Sequence, residues 1–324
     1  MIIGLTYDLK DDYRELGCSD EEVAELDSEA TVSGIETALA QNGLDSIRIG
    51  HLRHLMGRLL SGERWDLVFN ICEGMFGIGR EAQVPALLDA FQVPYTFSDP
   101  MVLALTLHKG MAKRVVRDAG VPTAPFALVE RSEDIDGVDL PFPLFVKPVG
   151  EGTGKGITTR SRVENRAELD GVCRELLTAF RQPVLVETFL PGREFTVGIV
   201  GTGPEAEAIG GMEVLFAAGG NEIYSYETKR DYEDLVEYRR IPAELVPECH
   251  RVALAAWRAL GCRDGGRIDL RLDGAGVPNF LEVNPLAGLN PKDSDLPILA
   301  RLHGISYGEL IGRIVASTRR RVGL

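Results

Sequence analysis

Apolar and polar residues follow two different rhythms along the first hundred positions of the chain. Short apolar runs in MIIGLTYD, LDSIRIG and WDLVFNI predict buried strands. Between and after them, EATVSGIETALAQNG, RHLMGRLLSGE and EAQVPALLDAFQ carry apolar residues at helical spacing, and the first of these predicted helices ends at Gly43. Strands that alternate with helices are typical of a parallel sheet covered on both faces. The pattern therefore predicts a small doubly wound lobe over residues 1 to about 100.

The remainder of the chain predicts a mixed α/β arrangement. LALTLHKGMAKRVVRDAGV reads as one helix with a glycine stop, and PTAPFALV leads into a strand. PFPLFVKPVGEGTGKGITTR predicts a strand, a glycine-rich loop and a second strand. The helix AELDGVCRELLTAF follows, then the strands PVLVETFL and GREFTVGIVG, and SYGELIGRIVASTRRR predicts a closing helix.

The segment GGRIDLRLDGAGVPNFLEVNP predicts a β-hairpin with an unusual polar face. In its first strand Arg267, Asp269 and Arg271 point to one side, because side chains alternate along a strand. In its second strand we expect Leu281 and Val283 to pack behind the polar face. Charged side chains therefore occupy positions where a packed hairpin would normally place apolar ones.

The register of this hairpin decides which polar groups meet. If residues 274–277 form a four-residue loop, Asp273 pairs with Pro278 and Asp269 falls opposite Glu282. Directly opposite residues point to the same face, so these two carboxylates and the Asn284 amide converge there.

Two carboxylates held this close repel each other, and a divalent cation would remove that repulsion. An all-oxygen set of two acids and one amide suits Mg²⁺, which takes further ligands from substrate phosphates. The alternative is an exposed hairpin face with arginine–carboxylate pairs that contribute little to stability.

A lysine and a glycine-rich loop follow one another in the middle of the chain. Lys147 ends the apolar strand PLFVKP just before VGEGTGKG, where it could lie along phosphate oxygens while backbone N–H groups approach them. The loop is not a P-loop, because Lys155 is followed by Gly156 instead of Ser or Thr.

Composition and charge limit the classes of function. The 324-residue chain has 35 basic and 49 acidic residues, a net charge of −14, which argues against a general grip on nucleic acid. Its apolar runs are too short to span a bilayer, and MIIGLTYDL lacks the features of a secretory signal. The five cysteines show no metal-ligand spacing. We therefore expect a cytoplasmic protein with free thiols that binds neither nucleic acid nor a membrane.

Taken in order, the motifs resemble the ATP-grasp superfamily and, within it, the D-alanine–D-alanine ligase family. The segments that carry the resemblance are HKGMAKRVVRDAGVPTAP, FVKPVGEGTGKG, VLVETFLPGREFTVGIVG, GGRIDLRL and FLEVNPLAGL. The resemblance implies an α/β ATP-grasp fold with three lobes: an N-terminal doubly wound parallel lobe (1–100), a small central α+β lobe with the glycine-rich loop (101–183) and a C-terminal mixed α/β lobe with the metal site (184–324).

The resemblance also implies a role for individual residues. The phosphate-binding lysines are Lys109 and Lys147, with Lys229 in a second lid over residues 219–237. Gly152, Thr153 and Gly154 belong to the glycine-rich loop that approaches the phosphates. Glu187 and Leu190 match the segment that contacts the adenine, and Glu194 matches the acid that binds the ribose. Two Mg²⁺ ions, or Mn²⁺, are bound by Asp269, Glu282 and Asn284. The groups that stabilise the oxyanion are Arg267 and the backbone N–H of Gly288.

The activity implied is a ligation in two steps. One substrate's carboxylate attacks the γ-phosphate of ATP, and the amine of a second amino acid then attacks the acyl phosphate. Positive groups fixed in advance are the main catalytic device for such charge development. The resemblance further implies amino acid substrates, D-alanine with D-alanine first among them, a place in peptidoglycan biosynthesis, and a homodimer.

The pocket for the first substrate departs from the family pattern. Glu73 stands where the family has histidine, Arg230 where it has tyrosine, and Thr153 and Gly154 replace two serines. Glu73 could accept a hydrogen bond from an ammonium, and Arg80 or Arg230 could bind an extra carboxylate. Alternatively, Glu73 and Arg80 pair with each other.

Three further interpretations remain open from the sequence. Ser294 is our candidate for the carboxylate of the second substrate, although the segment before it carries one extra residue. The altered pocket also favours a ligase for another amino acid pair, in secondary metabolism or a modified cell wall. A different class of function is a regulatory protein that binds ATP without turnover.

Overall fold

A computed structural model of the chain describes residues 1–216 and 236–324. Its N-terminal lobe contains a parallel sheet in the order β2-β1-β3, and Ile3 and Leu5 of the central strand are fully buried. This agrees with the predicted alternation of strands and helices. The elements are β1 (Ile2–Thr6), α1 (Lys10–Glu15), α2 (Glu29–Gln41), β2 (Asp45–Gly50), α3 (Leu52–Leu60), β3 (Leu67–Asn70) and α4 (Gln83–Ala90).

The single helix predicted after residue 100 is two helices in the structure, α5 (Pro100–Leu107) and α6 (Lys109–Asp118). His108 leaves the helical region with φ −85° and ψ 91°, and its side chain accepts a hydrogen bond from Met111 N–H. The apolar periodicity continues across this break, so periodicity alone does not reveal it. The break places Lys109 at the start of α6, where its N–H donates to Val149 O over 3.1 Å.

The central lobe is an antiparallel sheet in the order β4-β7-β5-β6, with one helix packed on it. The strand predicted after the glycine-rich loop is reduced to a 3₁₀ turn (Thr159–Ser161) and two residues of β6. The elements are β4 (Phe126–Val129), β5 (Leu144–Pro148), β6 (Arg162–Val163), α7 (Arg166–Phe180) and β7 (Val184–Thr188).

The predicted lobe boundary between residues 183 and 184 cuts through this sheet. β7 pairs with both β4 and β5, and Val184 and Val186 belong to the same core as Val146 and Leu169. Because a strand in the middle of a sheet cannot be assigned to another lobe, we place the boundary after Thr188.

The C-terminal lobe is built on a five-stranded antiparallel sheet in the order β10-β9-β8-β11-β12. Helix α8 buries Trp257 completely beneath this sheet. The elements are β8 (Glu194–Val200), β9 (Glu207–Phe216), β10 (Val236–Arg240), α8 (Val246–Leu260), β11 (Gly265–Leu272), β12 (Pro278–Asn284), α9 (Asp295–Leu302) and α10 (Tyr307–Val322).

The first and last lobes share one hydrophobic core. Residues of α2 and α10, including Ile35 and Ile311, belong to a single buried cluster. Asn42 Nδ2 donates to Gly308 O over 2.9 Å, and a Cβ at residue 308 would meet the side-chain oxygen of Gln41. Helices α2 and α10 therefore approach each other closely at Gly308, and a larger residue there would displace the Gln41 amide.

Two features bear on the expected class of protein. Over residues 1–216 and 236–324, no helix combines the length and the apolar character that crossing a membrane requires. The five cysteines are free thiols, as predicted.

Candidate active site

The β11–β12 hairpin reaches the predicted pairing by a different route. Leu272, instead of Asp273, pairs with Pro278, so the loop is one residue longer than predicted (273–277) and the register beside it is displaced by one residue. A one-residue irregularity follows, and Asp269 then pairs with Glu282 as predicted. The loop prediction is therefore wrong and the acid pairing is correct, because the displacement and the bulge cancel.

The bulge also changes the direction of one apolar residue. Leu281 is the extra residue on β12, since Leu270 pairs with Phe280. It lines a small cavity together with Lys147, whereas Val283 belongs to the buried core. The expectation that Leu281 packs behind the polar face is therefore wrong, and Leu281 contributes to a binding surface instead.

The three proposed metal ligands lie together on the hairpin face. Asp269 is nearly buried, and its carboxylate accepts hydrogen bonds from Thr196 Oγ1 at 2.7 Å and from Asn284 Nδ2 at 3.1 Å. Arg267 Nε lies 3.5 Å from Asp269 Oδ2. Burial raises the pKa of Asp269, and the Glu282 charge raises it further against the opposing Arg267.

This set fits a hard divalent cation. The described parts of the chain hold no group of three His, Cys, Asp or Glu side chains suited to a metal, and the set here is two carboxylates with an amide. Asp269 and Glu282 pair across the hairpin, and the Glu282 charge raises the pKa of Asp269, so a divalent cation bound to both would relieve their repulsion. Oxygen ligands of this kind are typical of Mg²⁺ and Mn²⁺ sites.

A buried ion triad lies beside the hairpin. Glu187 bridges two lysines, with Lys147 Nζ 2.9 Å from Oε1 and Lys113 Nζ 2.7 Å from Oε2. Burial alone would raise the pKa of Glu187, but the two ammonium groups outweigh it and lower that pKa to about 2. The same carboxylate raises the pKa of Lys147 in spite of its burial. Lys147 is therefore held as a cation, and its position is fixed.

The smaller cavity, the predicted nucleotide pocket, lies between the central and C-terminal sheets and has a volume of about 90 Å³. Its walls combine apolar side chains with charged groups at one end. Glu194, the proposed ribose ligand, is 3.3 Å from Arg271 NH1. The lining residues are Phe145, Lys147, Gly154, Ile157, Glu187, Thr188, Phe189, Leu190, Glu194, Asp269, Arg271, Leu281 and Glu282.

Lys109 connects the glycine-rich loop to the hairpin. Its ammonium donates to Glu151 O over 2.5 Å and lies 3.5 Å from Glu282 Oε2. In the loop itself, Thr153 and Gly154 have φ angles of 49° and 75°. The Thr153 hydroxyl is inaccessible to solvent and has no hydrogen-bond partner among the described residues.

A second, larger cavity of about 360 Å³ adjoins the hairpin on its other side. Arg267, Gly288 and Ser294 all line it. A Cβ at residue 288 would lie 2.9 Å from Ser294 Oγ, so only glycine lets that hydroxyl approach the backbone here. Arg267 NH2 is 3.6 Å from Asp295 Oδ2. Glu282 lines both cavities, so they meet at the proposed metal ligands.

The sequence predicted that Arg80 either binds a substrate carboxylate or pairs with Glu73, and the structure supports neither prediction. Its guanidinium pairs with Glu25 at 2.8 Å and donates to Gly150 O at 3.1 Å, so it neither pairs with Glu73 nor lines the cavity. Glu73 does line the cavity, and no described residue forms a hydrogen bond or ion pair with it.

Several residues of the cavity wall were not found by sequence analysis, namely Glu25, Asp27 and Glu81. The sequence feature that could have indicated Glu25 is the pair of apolar residues Val23 and Leu26 in an otherwise acidic stretch. Both are almost completely buried in the structure. Lys229, Arg230 and most of the predicted second lid over residues 219–237 lie outside the described residues.

Two sheet-based lobes that enclose a pocket, with buried lysines on one and paired carboxylates on the other, define an ATP-grasp ligase. The family model described as "D-ala D-ala ligase C-terminus" matches residues 115–316. D-alanine–D-alanine ligase of Pelobacter propionicus is 35% identical over 93% of this chain and 93% of its own, and that of Parvibaculum lavamentivorans is 34% identical over 87% and 89%.

The fold is also similar to solved structures. D-alanine–D-alanine ligase from Bacillus anthracis complexed with ATP superposes with a TM-score of 0.73, covering 99% of this chain and 98% of that one at 22% identity. The chain belongs to the D-alanine–D-alanine ligase family, and the protein is an ATP-dependent ligase.

Proposed function

We propose that the protein joins two amino acids by activating the carboxylate of the first as an acyl phosphate. The observation that carries this proposal is the position of Glu282, which lines both the nucleotide pocket and the larger cavity. A γ-phosphate at the end of one pocket would thus meet a carboxylate bound in the other. Such a junction suits transfer between two bound substrates by orientation and charge stabilisation.

The charged residues at the junction divide the work. Lys147 and Lys109 bind phosphate oxygens, because one is held as a cation by Glu187 and the other lies between the glycine-rich loop and the hairpin. Arg267 and the Gly288 N–H stabilise the oxyanion that forms when the amine attacks the acyl phosphate. Glu194, Leu190 and the other lining residues of the smaller pocket hold the nucleoside.

We assign Asp269, Glu282 and Asn284 to the binding of Mg²⁺, or Mn²⁺, as two ions. When bound, the metal neutralises charge on the transferring phosphoryl group. The mutual repulsion of the two carboxylates in the structure supports this assignment.

The names of the relatives make D-alanine with D-alanine the first substrate pair to test. Glu73 lines the larger cavity as a candidate acceptor for an ammonium group of the first substrate, and Ser294 as the candidate donor to the carboxylate of the second. By the same family argument we propose that the protein is a homodimer in the cytoplasm. Sedimentation velocity measures its oligomeric state directly.

The test is phosphate release from ATP with MgCl₂ and amino acids added singly and in pairs, with products identified by mass. We expect release that requires both Mg²⁺ and an amino acid. Asp269→Asn should lower kcat at least roughly a hundredfold, since it removes a charge that the proposed metal requires, and should raise the Mg²⁺ concentration needed for half activity. Asp170→Asn, on an exposed helix face, is the control. Binding of ATP without phosphate release on any amino acid would overturn the proposal.

A further inference from the structure

The wall of the larger cavity is strongly acidic. Among the described residues, eight acidic side chains and three basic ones line it. Two of the basic residues, Lys109 and Arg267, lie at the proposed phosphate-transfer end. The opposite wall comes from the N-terminal lobe, at the carboxyl end of its parallel sheet, which is where open α/β sheets bind ligands.

The acidic residues on this wall differ in whether a cation is paired with them. Glu25 is neutralised by Arg80 at 2.8 Å and by Lys155 at 3.4 Å. Glu73 and Glu81 also line the cavity, but within residues 1–216 and 236–324 neither carboxylate has a hydrogen-bond or ion-pair partner. Arg80, the nearest cation in sequence, is already committed to Glu25.

Burial makes this arrangement unfavourable in the absence of a ligand. It raises the pKa of Glu73 well above the ordinary value, and the charge of Glu81 raises it further. It also raises the pKa of Glu81 to about 7, although Arg80 opposes the shift. Two carboxylates that repel each other and have no cation partner among the described residues would both gain from a cation between them.

A residue of the facing lobe with an unsatisfied polar group lines the same cavity. Thr153, in the glycine-rich loop, is part of the cavity wall, and its hydroxyl has no hydrogen-bond partner among the described residues. A donor and acceptor left unsatisfied in this way is commonly completed by a ligand. The unmatched polar groups therefore come from two lobes and surround one volume.

We propose that Glu73 and Glu81 form a subsite for a second ammonium group, so that the preferred first substrate is a diamino acid. This inference rests on the proposed ligase function and specifies its first substrate. Side chains with an added carboxylate would be repelled, and a methyl group would leave the charges of both glutamates uncompensated by the substrate. The reaction itself is unchanged, because the extra ammonium does not take part in bond formation.

The experiment compares matched first substrates in the phosphate-release assay. Both enantiomers of alanine, 2-aminobutyrate, 2,3-diaminopropionate, ornithine and glutamate are supplied with D-alanine as the second substrate. We expect kcat/KM for the best diamino acid to exceed that of the neutral isostere roughly tenfold or more, since a charge-assisted hydrogen bond is lost in the neutral one. Glutamate should be the poorest substrate.

Variants then test the location of the subsite. The double variant Glu73→Gln/Glu81→Gln should reduce the preference ratio roughly tenfold, whereas Glu175→Gln, on an exposed helix face, should leave the ratio unchanged. Replacement of K⁺ by tetramethylammonium at constant ionic strength separates an organic ammonium from a bound monovalent ion. Stimulation by K⁺ that depends on Glu73 and Glu81, with no preference for diamino acids, would overturn the inference.

Calorimetry measures the binding of each amino acid in the presence of a non-hydrolysable ATP analogue, and so it separates the ammonium subsite from the ligase activity. Tighter binding of diamino acids without phosphate release would support the subsite and contradict the ligase proposal. Turnover of alanine at least as good as that of every diamino acid would support the ligase and overturn the subsite.

Discussion

The Glu25 carboxylate accepts a hydrogen bond from the backbone N–H of Gly152 over 2.8 Å, joining the N-terminal lobe to the glycine-rich loop. The same carboxylate lies between Arg80 and Lys155, and the exposed fractions of the three side chains are only 11%, 11% and 9%. A buried anion between two cations is strongly oriented. The loop that faces the nucleotide is therefore positioned from the substrate side of the molecule.

Replacement of Glu25 tests this connection. Glu25→Ala removes the acceptor for Gly152 and leaves Arg80 without its partner, so we expect a loss of roughly 3 kcal/mol in the free energy of unfolding. We also expect KM for ATP to rise roughly tenfold, because the loop loses a charge-assisted bond. Glu25→Gln keeps an acceptor and should retain part of the ATP affinity. Urea unfolding and steady-state kinetics measure both effects, and equal KM values in Ala and Gln variants would contradict the role of the hydrogen bond.

The two lysines that share Glu187 form a matched pair for a second test. Lys113→Met and Lys147→Met each remove one ammonium from the same carboxylate, and each should lower stability by about 3 kcal/mol. Only Lys147 lines the nucleotide pocket, so only its replacement should also raise the Kd of ATP tenfold or more, roughly the value of a hydrogen bond to a charged group. Isothermal titration separates the two effects. A similar loss of ATP affinity in both variants would argue against a direct contact of Lys147 with phosphate.

The bulge at Leu281 leads to a third prediction. Leu281→Asn should raise the Kd of ATP several-fold with little change in stability, because the side chain faces the pocket. Val283→Asn should instead cost roughly 2 to 4 kcal/mol of stability, because it places a polar group in the core. If strict alternation held, both substitutions would destabilise the fold alike. Thermal unfolding with and without ATP distinguishes the two cases.

These residues also indicate how far the sequence alone was sufficient. The two faces of the hairpin follow from alternation, and the pairing of Asp269 with Glu282 was predicted although the loop was not. An extra residue in a strand leaves the composition of the strand unchanged, so the position of Leu281 could not be predicted. The break at His108 was missed for a similar reason, since apolar residues continue at helical spacing on both sides.

Contacts between distant segments were the main part that sequence analysis did not find. Arg80 and Glu25 are separated by 55 residues, and nothing in the neighbourhood of either one identifies the other. The sequence placed Glu73 opposite Arg80 because they are close along the chain. In the structure, Arg80 pairs instead with Glu25, which the turns before α2 bring next to it.

The buried acids of the cavity should make stability depend on pH. Burial raises the pKa of Glu73, of Glu81 to about 7 and of Asp27 to about 7, so the folded chain retains protons that the unfolded chain releases. The free energy of unfolding should therefore fall as pH rises from about 4.5 to about 7, by about 1.4 kcal/mol per pH unit for each carboxyl that stays protonated only in the folded chain.

Urea unfolding between pH 5 and pH 8 measures this slope. Several charged groups face these acids, of which Arg80, Lys109 and Lys10 oppose the shifts while Glu25 and Asp8 add to them. The double variant Glu73→Gln/Glu81→Gln should flatten the curve. An unchanged slope would mean that these carboxyls are not the groups that titrate.

The packing of α2 against α10 has a consequence for how the molecule can be divided. Because both ends of the chain contribute to one core, the central lobe is topologically an insertion into a single larger body. A chain that stops before Ser306 would expose the inner face of α2, and an isolated N-terminal fragment would lack half of its core. The N- and C-terminal lobes should therefore unfold as one cooperative unit, and opening of the nucleotide pocket should reduce to rotation of the inserted lobe about its two connections.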